Sequence, residues 1–363
     1  MIKKILSCIV LGVLVVMPVL SVLLSPPHQQ DFSSFQTLEN YLDEHLVLAD
    51  PLRTVSAELS LLAGQKERDG VFYTSDGLLQ NFWPTESNTV RQRNTDAIIT
   101  FAQNHDVPTY SVVIPTAVAI KQKLVPDNAP LYNQKEIITT INRAMEGKVT
   151  AIDVYPTLFQ AYDDNAEYLY YRTSPRLTTL GGYRVYSDVA ERMRLSPRPL
   201  RRFSKEYAYH DYYGELTSSW SSKKVQGDIL TLYQNTTDSQ GYQLTVTNTD
   251  GSKSVYNTLF PRARAMLGNP FDIYLGGECI RFDLRVLDRD EGGGLLVFGD
   301  DSIESFLPFL AQHYGQVTYI NLALISKADL VALNPNSYDQ VLFAYSLETF
   351  CDSSEISKAT AVS

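Results

Sequence analysis

Apolar and polar positions along the chain follow two alternating patterns, one typical of buried strands and one typical of amphipathic helices. The short, almost wholly apolar runs suit strands that are buried on both faces, and the longer segments between them carry apolar residues at helical spacing. The predicted strands are 110–114, 149–154, 295–298, 317–322 and 341–345, and the predicted helices are 90–104, 135–146, 178–193 and 303–314. This order predicts an α/β fold, a three-layer sandwich in which helices cover a mostly parallel sheet.

The middle of the chain departs from this pattern. Between 203 and 262, alternating apolar positions and turn residues predict hairpins, so we interpret this stretch as a β-rich insertion within one domain that covers 32–350. Residues 168–172 predict a further strand that leads into a polar turn. The residues after Cys351 are mostly polar, and we expect 351–363 to be a flexible tail.

The beginning of the chain predicts a membrane anchor. Lys3 and Lys4 precede an uncharged apolar run at 5–24, and about 20 such residues suffice to cross a bilayer as a helix. The lysines favour a cytoplasmic 1–4, and the prolines after the run make a poor cleavage site. We therefore expect a signal-anchor, a linker at 25–31 and a single-pass protein of the cell membrane whose domain is extracytoplasmic. A cleaved signal peptide is the alternative.

The charge balance narrows the classes of partner. The chain has 31 Lys and Arg residues against 41 Asp and Glu residues; leaving out Lys3 and Lys4 gives 29 against 41, a net charge of −12 for the outer part. Such a surface repels nucleic acid but is compatible with neutral glycans. Cys279 and Cys351 lack the spacing of a zinc site, and they either pair or remain buried thiols. The sequence implies no cofactor and no metal.

Chemistry in an open parallel sheet is expected in the loops that follow the carboxyl ends of strands. Loops of this kind with suitable residues are 173–176, 275–278 and 299–302. The last, Gly-Asp-Asp-Ser, has the form of a nucleophile turn with Ser302 as the attacking hydroxyl. The alternative is that Asp301 or Ser302 caps the helix that follows. A serine nucleophile also needs a base, and His210 is the one histidine that we retain as a candidate.

Several of these stretches together resemble the DHHW family of bacterial envelope proteins, which is akin to the SGNH-hydrolase-like proteins of alginate and exopolysaccharide O-acetylation. Residues 170–183 look like the family signature, with Asp-His-His-Trp falling on 174–177. Residues 271–278 resemble a stretch that ends Gly-Gly-Asn, and 295–314 resemble a strand, a Lys-Asp-Ser turn and a helix. The resemblance runs in order through 32–350, and it implies an SGNH-hydrolase-like fold.

The departures from the family pattern fall on the residues that would perform the chemistry. In the related acetylation proteins, the first and third signature positions supply the acid and the base of a triad, and here they hold Ser174 and Arg176. Arginine stays protonated and cannot accept a proton. When the chain is aligned with the family pattern without a gap, Asp301 falls at the position of the nucleophile. Ser302 falls there only if the alignment is shifted by one residue. The resemblance therefore implies a degraded triad.

The region that would stabilise an oxyanion also departs from the family pattern, and this change too opposes catalysis. After Gly277, Glu278 stands where the family has an asparagine, so a negative charge replaces a hydrogen-bond donor. Together the changes imply a pseudoenzyme that binds or scaffolds, with envelope polysaccharide and other polysaccharide-modification proteins as partners. We expect Arg176 to face Asp301 and Glu278 in an ion-pair cluster that replaces the triad.

Two other interpretations remain open. An active polysaccharide O-acetyltransferase or acetylesterase would use Ser302 with a relocated base within hydrogen-bond reach of its hydroxyl. A cation site would use Asp300, Asp301, Glu278 and Glu304, although an acid early in a helix is favoured there without any ligand. Tyrosines clustered in 207–213 would either stack on sugar rings or form ordinary strand faces.

Overall fold

A computed structural model describes residues 49–84, 88–235, 241–266, 268–287 and 292–362. The predicted anchor at 5–24, the linker at 25–31 and the start of the predicted domain lie outside the described residues. Within the described ranges, none of the helices combines the length and the apolar character needed to cross a membrane.

The elements are given in chain order. The strands are β1 (Glu67–Arg68), β2 (Val71–Thr74), β3 (Gly77–Gln80), β4 (Thr109–Ile114), β5 (Thr150–Ile152), β6 (Phe203–Tyr212), β7 (Asp228–Asn235), β8 (Tyr242–Thr247), β9 (Lys253–Tyr256), β10 (Arg281–Val286), β11 (Gly294–Gly299), β12 (Gln316–Ile320) and β13 (Gln340–Ser346). The α-helices are α1 (Ala49–Leu62), α2 (Thr89–Asn104), α3 (Ala117–Ile120), α4 (Gln134–Met145), α5 (Tyr155–Asn165), α6 (Thr179–Arg192), α7 (Arg262–Ala265), α8 (Leu307–Leu310), α9 (Lys327–Val331) and α10 (Leu347–Asp352). The 3₁₀ helices are Gln122–Leu124, Leu200–Arg202, Glu215–Ser218, Pro270–Ile273, Asp301–Ser305, Ala311–His313, Pro335–Ser337 and Ser354–Ala361.

The chain divides into two compact units. Among the described residues, the smaller unit comprises 49–66 and Ser218–Lys224. Within it, Glu58 of α1 accepts a hydrogen bond of 2.6 Å from the Ser222 hydroxyl and forms an ion pair of 2.9 Å with Lys224. The larger unit comprises Glu67–Thr217 and Val225–Ser363, and it contains every sheet of the described residues.

The larger unit is built on a sheet with the strand order β5-β4-β13-β11-β12-β10-β8-β9. Neighbouring strands from β5 to β12 are parallel, whereas β10, β8 and β9 are each antiparallel to their neighbours. All residues of 295–298 and 341–344 are fully buried. Because successive side chains of a strand point to opposite faces, this sheet is covered on both sides. The predicted α/β fold with a mostly parallel central sheet is confirmed.

Two groups of helices form the outer layers. In one group, α2 packs with α4, α10 and the 3₁₀ helix Ser354–Ala361; in the other, α6 packs with α5 and α8. Phe101 of α2 lies edge-on to Phe298 of β11 and to Phe343 of β13, with ring centroids 5.6 and 5.1 Å away. These aromatic contacts fix α2 on the two central strands.

The predicted β-rich insertion at 203–262 contains strands, but it does not form one separate piece. β6 and β7 pair with each other in a two-stranded sheet of their own. β8 and β9 instead extend the central sheet, because β8 pairs with β10. The hairpin pattern was therefore predicted, whereas its division between two sheets was not.

Two helical predictions differ from the structure. The helix predicted at 303–314 is broken into Asp301–Ser305, α8 and Ala311–His313, and Pro308 lies at the start of α8, where it cannot donate a backbone hydrogen bond to the preceding turn. The expected flexible tail at 351–363 is ordered through 362 instead. Ile356, Ala359 and Val362 are buried, and their spacing of three matches one turn of a 3₁₀ helix.

The signature segment is a tight loop rather than the strand that we predicted at 168–172. Its strand-like pairing is a single bridge between Tyr170 and Leu177. The Tyr170 hydroxyl donates a hydrogen bond of 2.7 Å to the carbonyl of Pro115, directly after β4. The loop is thereby attached to the carboxyl end of the parallel sheet.

A buried carboxylate from β7 holds this loop in shape. Asp228 is completely buried, and it accepts hydrogen bonds of 2.9 Å from the backbone N–H groups of both Arg172 and Thr173. The Thr173 hydroxyl donates to the same carboxylate at 2.5 Å, and the Tyr168 hydroxyl donates to it as well. One side chain of the predicted insertion therefore satisfies four donors of the signature loop.

We expect Asp228→Asn to lower the free energy of unfolding by about 2–4 kcal/mol, because an amide NH₂ group would face backbone N–H donors that then lose their acceptor. Denaturant unfolding followed by tryptophan fluorescence would measure the change. Asp164→Asn, an exposed position on α5, is the matched control and should stay within about 0.5 kcal/mol of the parent chain. Equal losses in the two variants would contradict the anchoring role of Asp228.

Candidate functional site

Asp300 fixes the turn that follows β11. Its Oδ1 accepts hydrogen bonds from the backbone N–H of Ser302 at 3.1 Å and from the Ser302 hydroxyl at 2.5 Å. Its Oδ2 accepts from the backbone N–H and the hydroxyl of Ser346, at 3.0 and 2.8 Å, at the end of β13. The cap of the 3₁₀ helix is therefore Asp300, not Asp301 or Ser302 as the sequence suggested. This carboxylate joins the ends of two adjacent parallel strands.

The guanidinium of Arg176 lies between two carboxylates of this turn. Its Nη2 is 2.8 Å from Oδ2 of Asp301, and its Nη1 is 2.6 Å from Oε2 of Glu304. Residues three apart on a 3₁₀ helix lie one above the other, so both acids reach the same cation. The guanidinium also lies 4.7 Å from the centre of the Phe271 ring, a cation–π contact. The predicted Arg176–Asp301 pair is present, and its second acid is Glu304 rather than Glu278.

The remaining predicted site residues take structural or lining positions. Ser174 is completely buried, and its hydroxyl accepts a long hydrogen bond of 3.4 Å from the backbone N–H of Arg176. Gly277 has a φ of +75°, and a Cβ there would overlap the carboxylate of Asp272, so this backbone requires glycine. Glu278 is exposed and lines the same cavity as Arg176.

That cavity has a volume of about 700 Å³, which lies within the usual range for small-ligand sites. Its lining combines acidic, basic and aromatic side chains. The acidic residues are Asp272, Glu278, Asp300, Asp301, Glu304 and Glu355; the basic residues are Arg176 and Arg264; and the aromatic residues include Phe271, Tyr274, Tyr319 and Tyr345. The lining therefore carries more carboxylates than guanidinium groups.

Burial changes the proton affinity of several of these carboxylates. Burial raises the pKa of Glu304 to about 8, against the opposing effect of Arg176. Burial also raises the pKa of Asp301 to about 6, although its side chain is 53% exposed, so water within the cleft screens this group more. Burial raises the pKa of Asp272 as well. Glu304, only 13% exposed, is the group whose titration we expect to matter most.

The hydroxyl that a serine hydrolase would use has no imidazole beside it. The Ser302 hydroxyl donates to Asp300, and no histidine is among its hydrogen-bond partners in the described residues. His210, our candidate base, is exposed on β6 with its ring 6.0 Å from that of Tyr207. His313 instead lies 2.7 Å from the Tyr186 hydroxyl. Within the described residues, no histidine and acid are arranged with Ser302 as a catalytic triad.

Neither a metal site nor a reactive cysteine is found in the described part of the chain. No group of three or more His, Cys, Asp or Glu residues there converges as metal ligands would. Cys279 and Cys351 are separate buried thiols, so the disulfide alternative is not realised. Burial raises the pKa of both thiols to about 12, which keeps them protonated and unreactive at neutral pH.

The raised pKa of Glu304 makes a prediction for stability. Between pH 4.5, the ordinary pKa of a glutamate, and a pH of about 8, Glu304 holds a proton in the folded chain and releases it in the unfolded chain. This contribution to stability is complete below the ordinary pKa and is lost as the pH rises through the folded pKa. We therefore expect the parent chain to lose more free energy of unfolding than Glu304→Gln between about pH 5 and pH 9.

Denaturant titrations of both chains across that range would measure the difference. Glu146→Gln, at an exposed position after α4, serves as the control and should follow the parent chain. Parallel pH profiles for the parent chain and Glu304→Gln would show that Glu304 does not carry this proton.

The fold and the site geometry can now be compared with known proteins. Residues 76–320 match the sequence profile of the family described as "DHHW protein". No curated protein gives a significant sequence match. A DHHW family protein from Eubacterium siraeum superposes with a TM-score of 0.65 at 17% identity, covering 82% of this chain and 97% of that one.

PatB1 of Bacillus cereus superposes with a TM-score of 0.66 at 14% identity, covering 78% of this chain and 98% of that one. The same protein with a sulfonyl adduct gives a TM-score of 0.65. At these identities the superpositions establish the fold. The profile match extends over more than half of the chain and includes the signature loop and the turn after β11. The chain therefore belongs to the DHHW family.

Proposed function

We propose that this chain is a catalytically degraded DHHW protein that acts by binding, not by acyl transfer, in the modification of an envelope polysaccharide. The observation that carries the proposal is the ion pair of Arg176 with Asp301 and Glu304, at the positions where the family pattern has its base and its nucleophile. A hydroxyl nucleophile needs a neighbour that accepts its proton, and a guanidinium cannot do so. The polysaccharide context comes from the family resemblance.

The cavity suits a binding role. Glu278 is exposed and the side chain of Asp301 is 53% exposed, and carboxylate oxygens accept hydrogen bonds from sugar hydroxyls. Its volume of about 700 Å³ accommodates a short saccharide segment, since small-molecule sites commonly span about 300–1,000 Å³. These features support recognition without requiring any bond to be broken.

The alternative of an active O-acetyltransferase or acetylesterase would have to use Ser302. The base nearest its hydroxyl is Asp300, which already accepts four hydrogen bonds. These four hydrogen bonds hold the turn after β11 and the end of β13, so the Asp300 carboxylate is committed to a structural role. This geometry favours the binding hypothesis over the catalytic one.

An assay of acetyl-ester hydrolysis separates the two hypotheses. We expect the parent chain and Ser302→Ala to give the same turnover, no higher than the buffer rate. Loss of a single triad member commonly costs about 10⁴-fold or more in kcat, so an active Ser302 would produce a clear difference. A triple variant with Ser174→Asp, Arg176→His and Asp301→Ser tests whether the old site can be rebuilt.

A chemical probe gives a second measurement in the same samples. PatB1 has been solved with a sulfonyl adduct, and we expect a sulfonyl fluoride to leave the parent chain unmodified by mass spectrometry. Parent-chain hydrolysis that disappears in Ser302→Ala, or a sulfonyl group on Ser302, would overturn the proposed pseudoenzyme.

We further propose that the apolar run at 5–24 anchors the protein in the cell membrane with its domain outside the cytoplasm. The full chain should stay in the membrane pellet after alkaline carbonate washing, because about 20 buried apolar residues hold a helix in a bilayer. A variant that lacks 1–31 should be soluble. Release of a mature chain that begins after 24 would instead establish a cleaved signal peptide.

A further inference from the structure

The cavity beside Arg176 holds negative charge that the protein does not neutralise. Arg176 is occupied by Asp301 and Glu304. Arg264 donates a hydrogen bond of 3.3 Å to the carbonyl of Gly276 and forms no ion pair within the described residues. Asp272 and Glu278 likewise form no ion pair there, although both line the cavity; the charges of Arg264 and Arg176 act on Asp272 without direct contact, and the charge of Glu278 opposes them. The cavity therefore offers two carboxylates to a cation from outside the chain.

A second, independent feature of the same cavity also indicates a ligand. Tyr345, in β13, lines the cavity and is only 3% exposed, yet its hydroxyl has no hydrogen-bond partner. A buried hydroxyl without a partner opposes folding, because it has lost its hydrogen bonds to water and gained none in return. The neighbouring Tyr319 hydroxyl, by contrast, donates to the carbonyl of Gly299 at 3.0 Å. Tyr345 is thus the hydroxyl that a polar group of a ligand would satisfy.

The distribution of the acids distinguishes between kinds of cation. A bound divalent metal needs several oxygen ligands at about 2.0–2.6 Å from one point. Among the described residues, no three acids or other ligating side chains converge in this way. A pair of carboxylates instead suits an organic cation that carries its charge on an amine and fills the cavity with its own polar body.

We propose that the cavity binds a glycan segment with a free amino group, a hexosamine that has lost or never received its N-acetyl group, whose ammonium pairs with Asp272 and Glu278 while a ring hydroxyl bonds to Tyr345. This inference rests on the proposed binding function, and it specifies the ligand class. An N-acetylated sugar lacks the charge, and its larger amide cannot replace the ion pairs.

Calorimetry on the full chain in detergent tests the proposal, with glucosamine oligomers and fully N-acetylated oligomers of equal length as probes. We expect the amino oligomer to bind at least about tenfold more tightly, with an affinity that falls as salt is added. Asp272→Asn and Glu278→Gln should each weaken its binding, by about tenfold for the half-buried Asp272 and about threefold for the exposed Glu278. Asp164→Asn and Glu146→Gln are matched controls outside the cavity and should bind as the parent chain does.

Tyr345→Phe provides a variant that separates binding from folding. It removes a hydroxyl without a partner, so the free energy of unfolding should stay constant or rise, while binding of the amino oligomer weakens about threefold. An N-acetylated oligomer that binds as well as the amino oligomer would overturn the proposal. So would equal binding of oligolysine, or affinities that are the same in the Asp272 and Glu278 variants as in the controls. Each of these results leaves the proposed loss of catalysis standing, because ester turnover through Ser302 tests that separately.

Discussion

The half-buried charge of Arg176 constrains the cleft more than any other single group. A guanidinium is permanently protonated, so holding it out of bulk water requires carboxylates close by. Asp301 and Glu304 supply them on one side of a 3₁₀ helix. In the pseudoenzyme that we propose, the carboxylate at the expected position of the nucleophile balances the arginine at the expected position of the base. Replacing Arg176 alone would leave the carboxylates of Asp301 and Glu304 without their cation.

The placement of Arg176 depends in turn on groups far away in the sequence. Asp228 satisfies four donors of the signature loop, and Tyr170 attaches the loop to the end of β4. On the opposite side, Asp300 joins the ends of β11 and β13. The cation and its acids are therefore positioned by separate buried hydrogen-bond networks, which favours a fixed ion pair over a mobile surface one. β7, within the predicted insertion, is part of the site's framework.

The sequence predicted the central sheet and the pair of Arg176 with Asp301, but not Glu304 as the second acid. The features that it did not predict have local physical causes. The runs at 295–298 and 341–345 are apolar at every position, a pattern that buried parallel strands share. Glu304 was assigned to a regular helix, where an acid three residues after Asp301 needs no partner; the 3₁₀ geometry places both acids on the same side. The same geometry explains the ordered end of the chain, where Ile356 and Ala359 repeat every third residue within a mostly polar stretch. No local pattern marks Asp228, since its donors lie more than 50 residues earlier.

The acidity of the cavity needs an explanation that Arg176 does not provide. An ion pair across the cleft requires only enough carboxylate to balance the cation, and Asp301 with Glu304 already supplies it. Asp272 and Glu278 add like charges nearby, and the raised pKa of Asp272 and of Glu304 shows that burial opposes their ionisation. The hydroxyl of Tyr345 adds a further unsatisfied group. Features that oppose folding in this way are concentrated at functional sites. A bound ligand can supply the missing opposite charge and hydrogen-bond partners, whereas a closed core cannot.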